Sequence, residues 1–228
     1  MTKSSNRSRD CDSNSLDYTL LDVALFDVDH TLSKVNISIE FGRFLYKQGF
    51  FSTFQTLSFI LLYSLHLIHL LPLKALHIAC FYCLFYRKKK EDVERLVEQF
   101  FEEQGFSFFN KKVLEELRYL QAHNVPIVIA SSSPSFLIEK IAHFLGVKKV
   151  LATSYEIDMR GRYSSISCLV DGRKKTTALS EFSLDRALAY SDSELDMPLF
   201  DAVGYQVAVS PTRKLRCEAE KKGWRIIE

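Results

Sequence analysis

The chain has 228 residues, 47% of them hydrophobic, which suits one α/β domain with an insertion better than two independent domains. Its 30 Lys and Arg nearly cancel its 28 Asp and Glu, so a net charge of +2 gives no electrostatic case for nucleic acid as a partner. Five cysteines, odd in number and scattered at positions 11, 80, 83, 168 and 217, are no secreted disulfide framework and predict a reducing, cytoplasmic setting.

Residues 1–15 (MTKSSNRSRDCDSNS) carry charge and hydroxyls without an apolar run, and read as a disordered tail rather than a signal peptide. Residues 23–27 (VALFD) form a short apolar run that stops in Asp29, His30 and Thr31, as a buried strand ending at a site would. Residues 33–109 show no strand pattern. They predict a helix over 39–47, a very apolar stretch over 50–86 broken at Pro72, and an amphipathic helix over 91–103. A helical pattern at 111–124 then leads to a second apolar run at 126–130, which empties into Ser131, Ser132, Ser133 and Pro134. After a helical pattern at 136–145, a third run at 187–190 meets Ser191, Asp192 and Ser193. Helical residues around 198–202 precede a fourth run, 205–209, ending at Ser210 and Pro211.

Strands alternating with helices imply a Rossmann-like parallel sheet, with ligands at the carboxyl ends of its strands. The expected organisation is a core of residues 16–32 and 110–228 and an inserted all-helical cap over 33–109.

Asp27 and Asp29 stand two apart at a strand end, so their side chains can share a face. One carboxylate can attack phosphorus while the other protonates the leaving alcohol and later activates water. The bland alternative is a turn or a helix cap. Asp192 and Asp196, four apart, can share one helical turn, although acids in a first turn are commonly solvated. Four carboxylates facing a phosphate would repel one another, which a hard cation such as Mg2+ resolves with oxygen ligands. Ser131 can donate to phosphoryl oxygens or serve as an N-cap, a role open equally to Ser132 and Ser133. A lysine is also wanted, and Lys174 and Lys175 follow Gly172 and Arg173.

The segments FDVDHTL, ASSSP, GRKKTTAL and YSDSELDMPLFDAVG resemble, in order, the four motifs of the haloacid dehalogenase superfamily, and most of all its phosphoserine-phosphatase-like subfamily. The ending AVSPTRKLRCEAEKKGW resembles that subfamily too. The resemblance implies a phosphomonoesterase with Asp27 as nucleophile and Asp29 as general acid/base. Ser131, with Ser132 beside it, and a lysine would bind the phosphoryl group. The spacing from that lysine to Leu179 favours Lys175 over Lys174. Mg2+ would be held by Asp27, Asp192 and the carbonyl of Asp29, with Asp196 supporting it indirectly. Ser191 replaces a customary glycine. Asn36 stands at a substrate-binding position where phosphoserine phosphatases carry a glutamate, which argues against phosphoserine as substrate.

Three features fit this picture less directly. Cys80 and Cys83 form a CxxC near His66, His69 and His77, but within an apolar helical stretch packing is the expected role. Arg87 to Lys90 can meet lipid head groups or form a solvated turn. Residues 48–73 hold no charge and are long enough to span a bilayer, which takes about 20 apolar residues, whereas residues 75–86 are too short to return. A single crossing would put Asp27 and Asp192 in different compartments. The stretch is therefore expected to be either a helical cap with its own core or a hairpin lying partly in the membrane interface, with peripheral membrane association in the second case. The substrate is then a phosphorylated small molecule or a lipid phosphate. The competing readings are a phosphoserine or other metabolite phosphatase, a phosphotransferase, and a catalytically idle membrane-docking scaffold.

Overall fold

The computed structural model describes residues 18–228, apart from His69, Phe106 and the side chain of Thr19. The tail expected over residues 1–15, with Cys11, lies outside the described residues.

Seven strands form one sheet in the order β4-β3-β2-β1-β5-β6-β7. They are β1 (Val23–Phe26), β2 (Ile127–Pro134), β3 (Lys149–Ile157), β4 (Tyr163–Cys168), β5 (Ala187–Ser191), β6 (Tyr205–Val209) and β7 (Arg225–Ile227). Only the β3–β4 pair is antiparallel. β1 is central and buried at all four residues. Its side chains alternate between two apolar layers, Ala24 and Phe26 in one, Val23 and Leu25 in the other. The fold is thus the expected Rossmann-like α/β sheet, but with three strands more than the four apolar runs announce. β3, β4 and β7 sit at or next to the sheet edges with half-exposed residues, so none carries a continuous apolar run.

The helices are α1 (Ile37–Lys47), α2 (Thr53–Leu67), α3 (Leu73–Cys80), α4 (Lys90–Gln104), α5 (Lys111–Ala122), α6 (Ser135–Leu145), the short α7 (Gly172–Lys175) and α8 (Met197–Phe200), and α9 (Arg213–Lys222). Four of them, α1 to α4, lie between β1 and α5. The chain enters and leaves this insertion at one place. Ser33 bridges Phe109, the Lys34 amide donates to the Phe108 carbonyl at 2.8 Å, and the Asn110 amide donates to the Leu32 carbonyl at 2.8 Å.

The insertion does not have its own core, contrary to one of the two expectations. Phe41, Phe44, Phe81, Phe85 and Phe100 belong to the same buried cluster as Ala24 and Phe26 of β1. Phe136 of α6 joins the two parts, its ring 6.0 Å from that of Phe41 and 5.5 Å from that of Phe85. α2 departs from this packing: it buries no residue. Among the described residues no helix is long and apolar enough to cross a membrane.

Candidate active site

The site is built at the carboxyl ends of β1, β2 and β5. The Asp27 amide donates to the Tyr190 carbonyl of β5 at 3.0 Å, which seats Asp27 just past the central strand. A wide turn over residues 28–32 follows, closed by the Leu32 amide on the Asp27 carbonyl at 3.3 Å and the Ser33 amide on the Val28 carbonyl at 2.8 Å. His30 takes a left-handed conformation there (φ 56°), an unfavourable one for a residue with a Cβ. The turn lets the chain pass Asp29 into the site and still re-enter α1.

Both oxygens of Asp29 are held. Oδ1 accepts from the Ile37 amide at the start of α1 (2.7 Å), and Oδ2 accepts from Ser133 Oγ at the end of β2 (2.6 Å). Ser133 Oγ lies 2.7 Å from Ser38 Oγ on α1, so a hydroxyl pair links the insertion to this carboxylate. Burial raises the Asp29 pKa above the ordinary carboxylate range, against the pull of these donors and of His30 and Lys175.

Lys175 is buried between two acids, with Nζ 3.0 Å from Asp27 Oδ1 and 2.6 Å from Asp196 Oδ2. Asp27 Oδ1 also accepts from the Val28 amide at 2.8 Å. Asp196 Oδ2 takes a second donor, Ser191 Oγ, at 2.6 Å, so the serine that stands in place of the customary glycine anchors this network. Burial would lower the lysine pKa, but Asp196 and Asp27 outweigh it and hold the ammonium charged. Asp27 is raised well above the usual range by burial, with Asp196, Asp29 and Asp192 adding repulsion against the attraction of Lys175. Gly172 makes the approach of α7 feasible: a Cβ there would stand 2.0 Å from the Leu195 carbonyl oxygen, in the turn that carries Asp196. Lys174 is exposed and away from this cluster.

Asp192 is half-buried at the mouth of the site, and burial pushes its carboxyl up to about 6. It lines a cleft of about 350 Å³ with His30, Lys34, Asn110, Ser210 and Thr212. Ser131 is fully buried and its Oγ accepts from the Ser133 amide at 3.1 Å. Ser132 is half-buried on the same strand. Asn36 caps α1, its Oδ1 accepting from the Ile39 amide at 3.0 Å.

The structure therefore gathers Asp27, Lys175 and Asp196 into one buried network, with half-buried Asp29 and Asp192 close enough to act on Asp27 electrostatically and Ser131 buried at the end of β2. Asn36 is engaged by its own helix. Sequence reasoning overlooked Ser133 as a partner of Asp29, and Ser38 as the partner of Ser133. Alternation along a strand would have found the first, because Ser131 and Ser133 share a face. Ser210 and Thr212 were legible by position, since β6 ends at the same edge as β1 and β5.

Cys80 and Cys83 of the CxxC are half-buried, as the packing role expects. Burial pushes the Cys80 thiol up to about 12 and the His77 imidazole down to about 4, the marks of packed, neutral groups. His69 lies outside the described residues. Among the described residues no three His, Cys, Asp or Glu side chains converge in ligand geometry. The acidic site has a different character. Its acidic side chains offer oxygen donors alone, and four carboxylates outnumber Lys175. That fits a hard cation that keeps part of its water shell.

The sheet thus carries Asp27 just past its central strand, a second acid two residues on and the buried Lys175 against Asp27. The sequence pattern of haloacid dehalogenase-like hydrolases matches residues 24–201, and the chain belongs to that family. Over 109 residues it is 35% identical to the inhibition of morphological differentiation protein of Streptomyces azureus, a match spanning 45% of this chain and 39% of that relative. Over 222 residues it is 25% identical to a histidinol-phosphatase of Neisseria meningitidis, covering 90% of this chain and 97% of the relative. The fold is shared with a protein of unknown function from Bordetella pertussis, with a TM-score of 0.82, 23% identity and coverage of 90% and 97%. Phosphoserine phosphatases are further neighbours in fold. The family and the phosphatase names among these relatives support a phosphatase.

Proposed function

We propose that this phosphatase is a Mg2+-dependent phosphomonoesterase that works through an aspartyl-phosphate on Asp27. The observation that carries the reading is the buried bridge of Lys175 between Asp27 and Asp196, beside an Asp29 held on both oxygens. A catalytically idle scaffold would have no reason to bury two carboxylates and set two more, half-buried, beside them.

Asp27 Oδ1 is fixed by the Val28 amide and Lys175, so Oδ2 is the attacking oxygen. It forms a bond to phosphorus as the ester P–O bond breaks, and protonated Asp29 gives its proton to the leaving alkoxide. Asp29, now a carboxylate, removes a proton from water as the water oxygen attacks the phospho-enzyme, freeing phosphate and restoring Asp27. Lys175, Ser131 and Ser132 bind the phosphoryl oxygens, and Asp196 and Ser191 position Lys175. Mg2+, held by Asp27, Asp192 and the Asp29 carbonyl with Asp196 behind them, would neutralise charge on the phosphoryl group. Residues 33–109 act as the cap, which brings Ile37 and Ser38 to Asp29.

The substrate class we favour is a lipid phosphate, because the cap carries an uncovered apolar helix, α2, and peripheral membrane association accompanies it. The Neisseria relative makes histidinol phosphate the specific rival among small metabolites. The test is a phosphate-release screen with Mg2+ across lysophosphatidate, phosphatidylglycerophosphate, histidinol phosphate, phosphoserine and sugar phosphates. Chelation should abolish turnover of every substrate and Mg2+ should restore it. Phosphoserine should rank low, since Asn36 offers its ammonium no carboxylate and already caps α1. Phosphoserine at the head of the screen would refute that assignment, and turnover unaffected by EDTA would refute the metal.

Ser133→Ala provides a separate check on Asp29. Loss of the 2.6 Å bond should lower kcat by about tenfold for esters with poor leaving groups, roughly the worth of one charge-assisted hydrogen bond. An activated aryl phosphate, which needs little protonation, should suffer less. Equal losses on both would remove the positioning role.

A further inference from the structure

We infer that α2 is a docking surface for an anionic lipid bilayer, lying along the interface with its outward face in the acyl boundary. This deepens the lipid-phosphate reading by naming the surface that meets the membrane and the lipid charge it selects, and it does not depend on the hydrolytic chemistry.

The exposed positions of α2 recur at helical spacing, and that outward stripe is apolar. Phe54 is 78% exposed, Leu57 60%, Leu61 61%, and Leu70 in the turn beyond 70%, with Ile60, Leu67 and Ile68 also more than half exposed. A helix on an aqueous surface turns its polar side outward. Here the order is reversed, in a contiguous patch of the kind that marks an interaction site.

Five polar side chains of α2 find partners within the protein. Thr56 Oγ1 donates to the Ser52 carbonyl (3.2 Å), Ser58 Oγ to Phe54 (2.9 Å) and Ser64 Oγ to Ile60 (2.8 Å). Gln55 Nε2 donates to the Cys83 carbonyl at 2.7 Å, and His66 Nδ1 meets the Leu71 carbonyl at 2.8 Å. Hydroxyls bonded back to their own helix are the arrangement that a lipid environment favours.

Charge complementarity selects the occupant. From Phe41 to Lys90 the chain carries seven Lys and Arg and no Asp or Glu. Four of these, Arg87 to Lys90, adjoin the base of the hairpin formed by α2 and α3, where Lys88 Nζ reaches the Phe50 carbonyl at 3.3 Å. The segment is held in place rather than loose: the Arg87 amide donates to the Tyr163 carbonyl (2.8 Å), the Tyr163 amide to Lys88 (3.0 Å), and the Lys90 amide to Gly161 (2.9 Å). Tyr82 and Tyr86 are exposed beside it, residues suited to the head-group level. An anionic surface answers both the apolar stripe and the basic base. A second copy of the chain would oppose like charge to like charge. α2 extends only about 22 Å at 1.5 Å per residue, so it lies in one leaflet without crossing.

The test uses the full chain in flotation with vesicles of phosphatidylcholine alone and of phosphatidylcholine mixed with phosphatidylglycerol. Binding should require the anionic lipid and weaken with salt. Leu57→Gln with Leu61→Gln should lower the partition coefficient by about thirtyfold or more, since two large apolar side chains no longer leave water. Arg87→Gln with Lys89→Gln should lower it by about fivefold per charge. Both variants should fold and hydrolyse a soluble aryl phosphate as the parent does, which separates this result from the fate of the phosphatase reading. Failure of the parent to bind anionic vesicles would overturn the proposal. So would undiminished binding by the leucine variant, or a lipid-free dimer that the leucine substitutions dissociate.

Discussion

Replacement of Asp27 by Asn is expected to cut turnover of every phosphate ester by on the order of 10⁴-fold or more, as loss of a covalent nucleophile does, without unfolding the protein. The amide fills the same volume but cannot attack phosphorus. Its effect on stability should run the other way. Asp27 is held in a buried site where three further carboxylates repel it, so its charge opposes folding at neutral pH even with Lys175 beside it. A group whose folded pKa lies above its unfolded value weakens the fold once pH exceeds the unfolded value, and the neutral amide carries no such penalty. With divalent cations removed, the melting temperature of Asp27→Asn should equal or exceed that of the parent. A variant with near-parental turnover would sink the mechanism. A melting temperature well below the parent's would show that the charge is structural.

Lys175→Met should fail on both counts. Its ammonium is the counter-charge to two buried carboxylates at 3.0 and 2.6 Å. Removing one partner of a buried ion pair costs about 3–5 kcal/mol, because the other charges stay behind without compensation. For a chain of this size that corresponds to a fall of roughly 6–20 °C in melting temperature. Turnover should fall with it, since Asp27 loses the group that fixes Oδ1 and the phosphoryl group loses a cation. A second substitution, Asp196→Asn, should return part of the stability but none of the activity. Thermal melts of the two single variants and the double variant give that coupling directly. Additive stability losses would show that the Lys175–Asp196 contact is not the source of the effect.

The chemistry was more legible in the sequence than the surroundings were, for a physical reason. Asp27, Ser131 and Asp192 each follow an apolar strand, and strand ends in a parallel sheet all open on one edge, so polar residues at those points announce a site. Lys175 was favoured over Lys174 by the resemblance alone, because the two have the same chemistry and only the turn of α7 buries one and exposes the other. Ser191 was legible only as a departure from a customary glycine, and it is a donor to Asp196. Ser38 could not be read at all: its partner Ser133 lies 95 residues away, and no local pattern encodes that meeting. The missing strands failed for a related reason. β3, β4 and β7 take their identity from pairing with neighbours, while their half-exposed residues send no strong signal. The apolar stretch was legible as hydrophobic but not as inverted, because a sequence does not say which side of a helix finds a neighbour.

The bridge between Ser33 and Phe109 bears on how such a chain can change over time. Residues 33–109 leave the sheet and return to it through adjacent positions, so the rest of the fold sees their length only as the entropy of closing a loop. Each doubling of a flexible loop adds only about 0.6 kcal/mol. Segments of other lengths and compositions can therefore be grafted at the same doorway while β1, β2 and β5 keep their register. The limits are set by the start of α1, whose Ile37 amide holds Asp29 and must be kept, and by Phe136, whose ring rests against Phe41 and Phe85 and would need a new cover. A sheet that keeps its chemistry while exchanging its lid can acquire new substrates without rebuilding its catalytic groups.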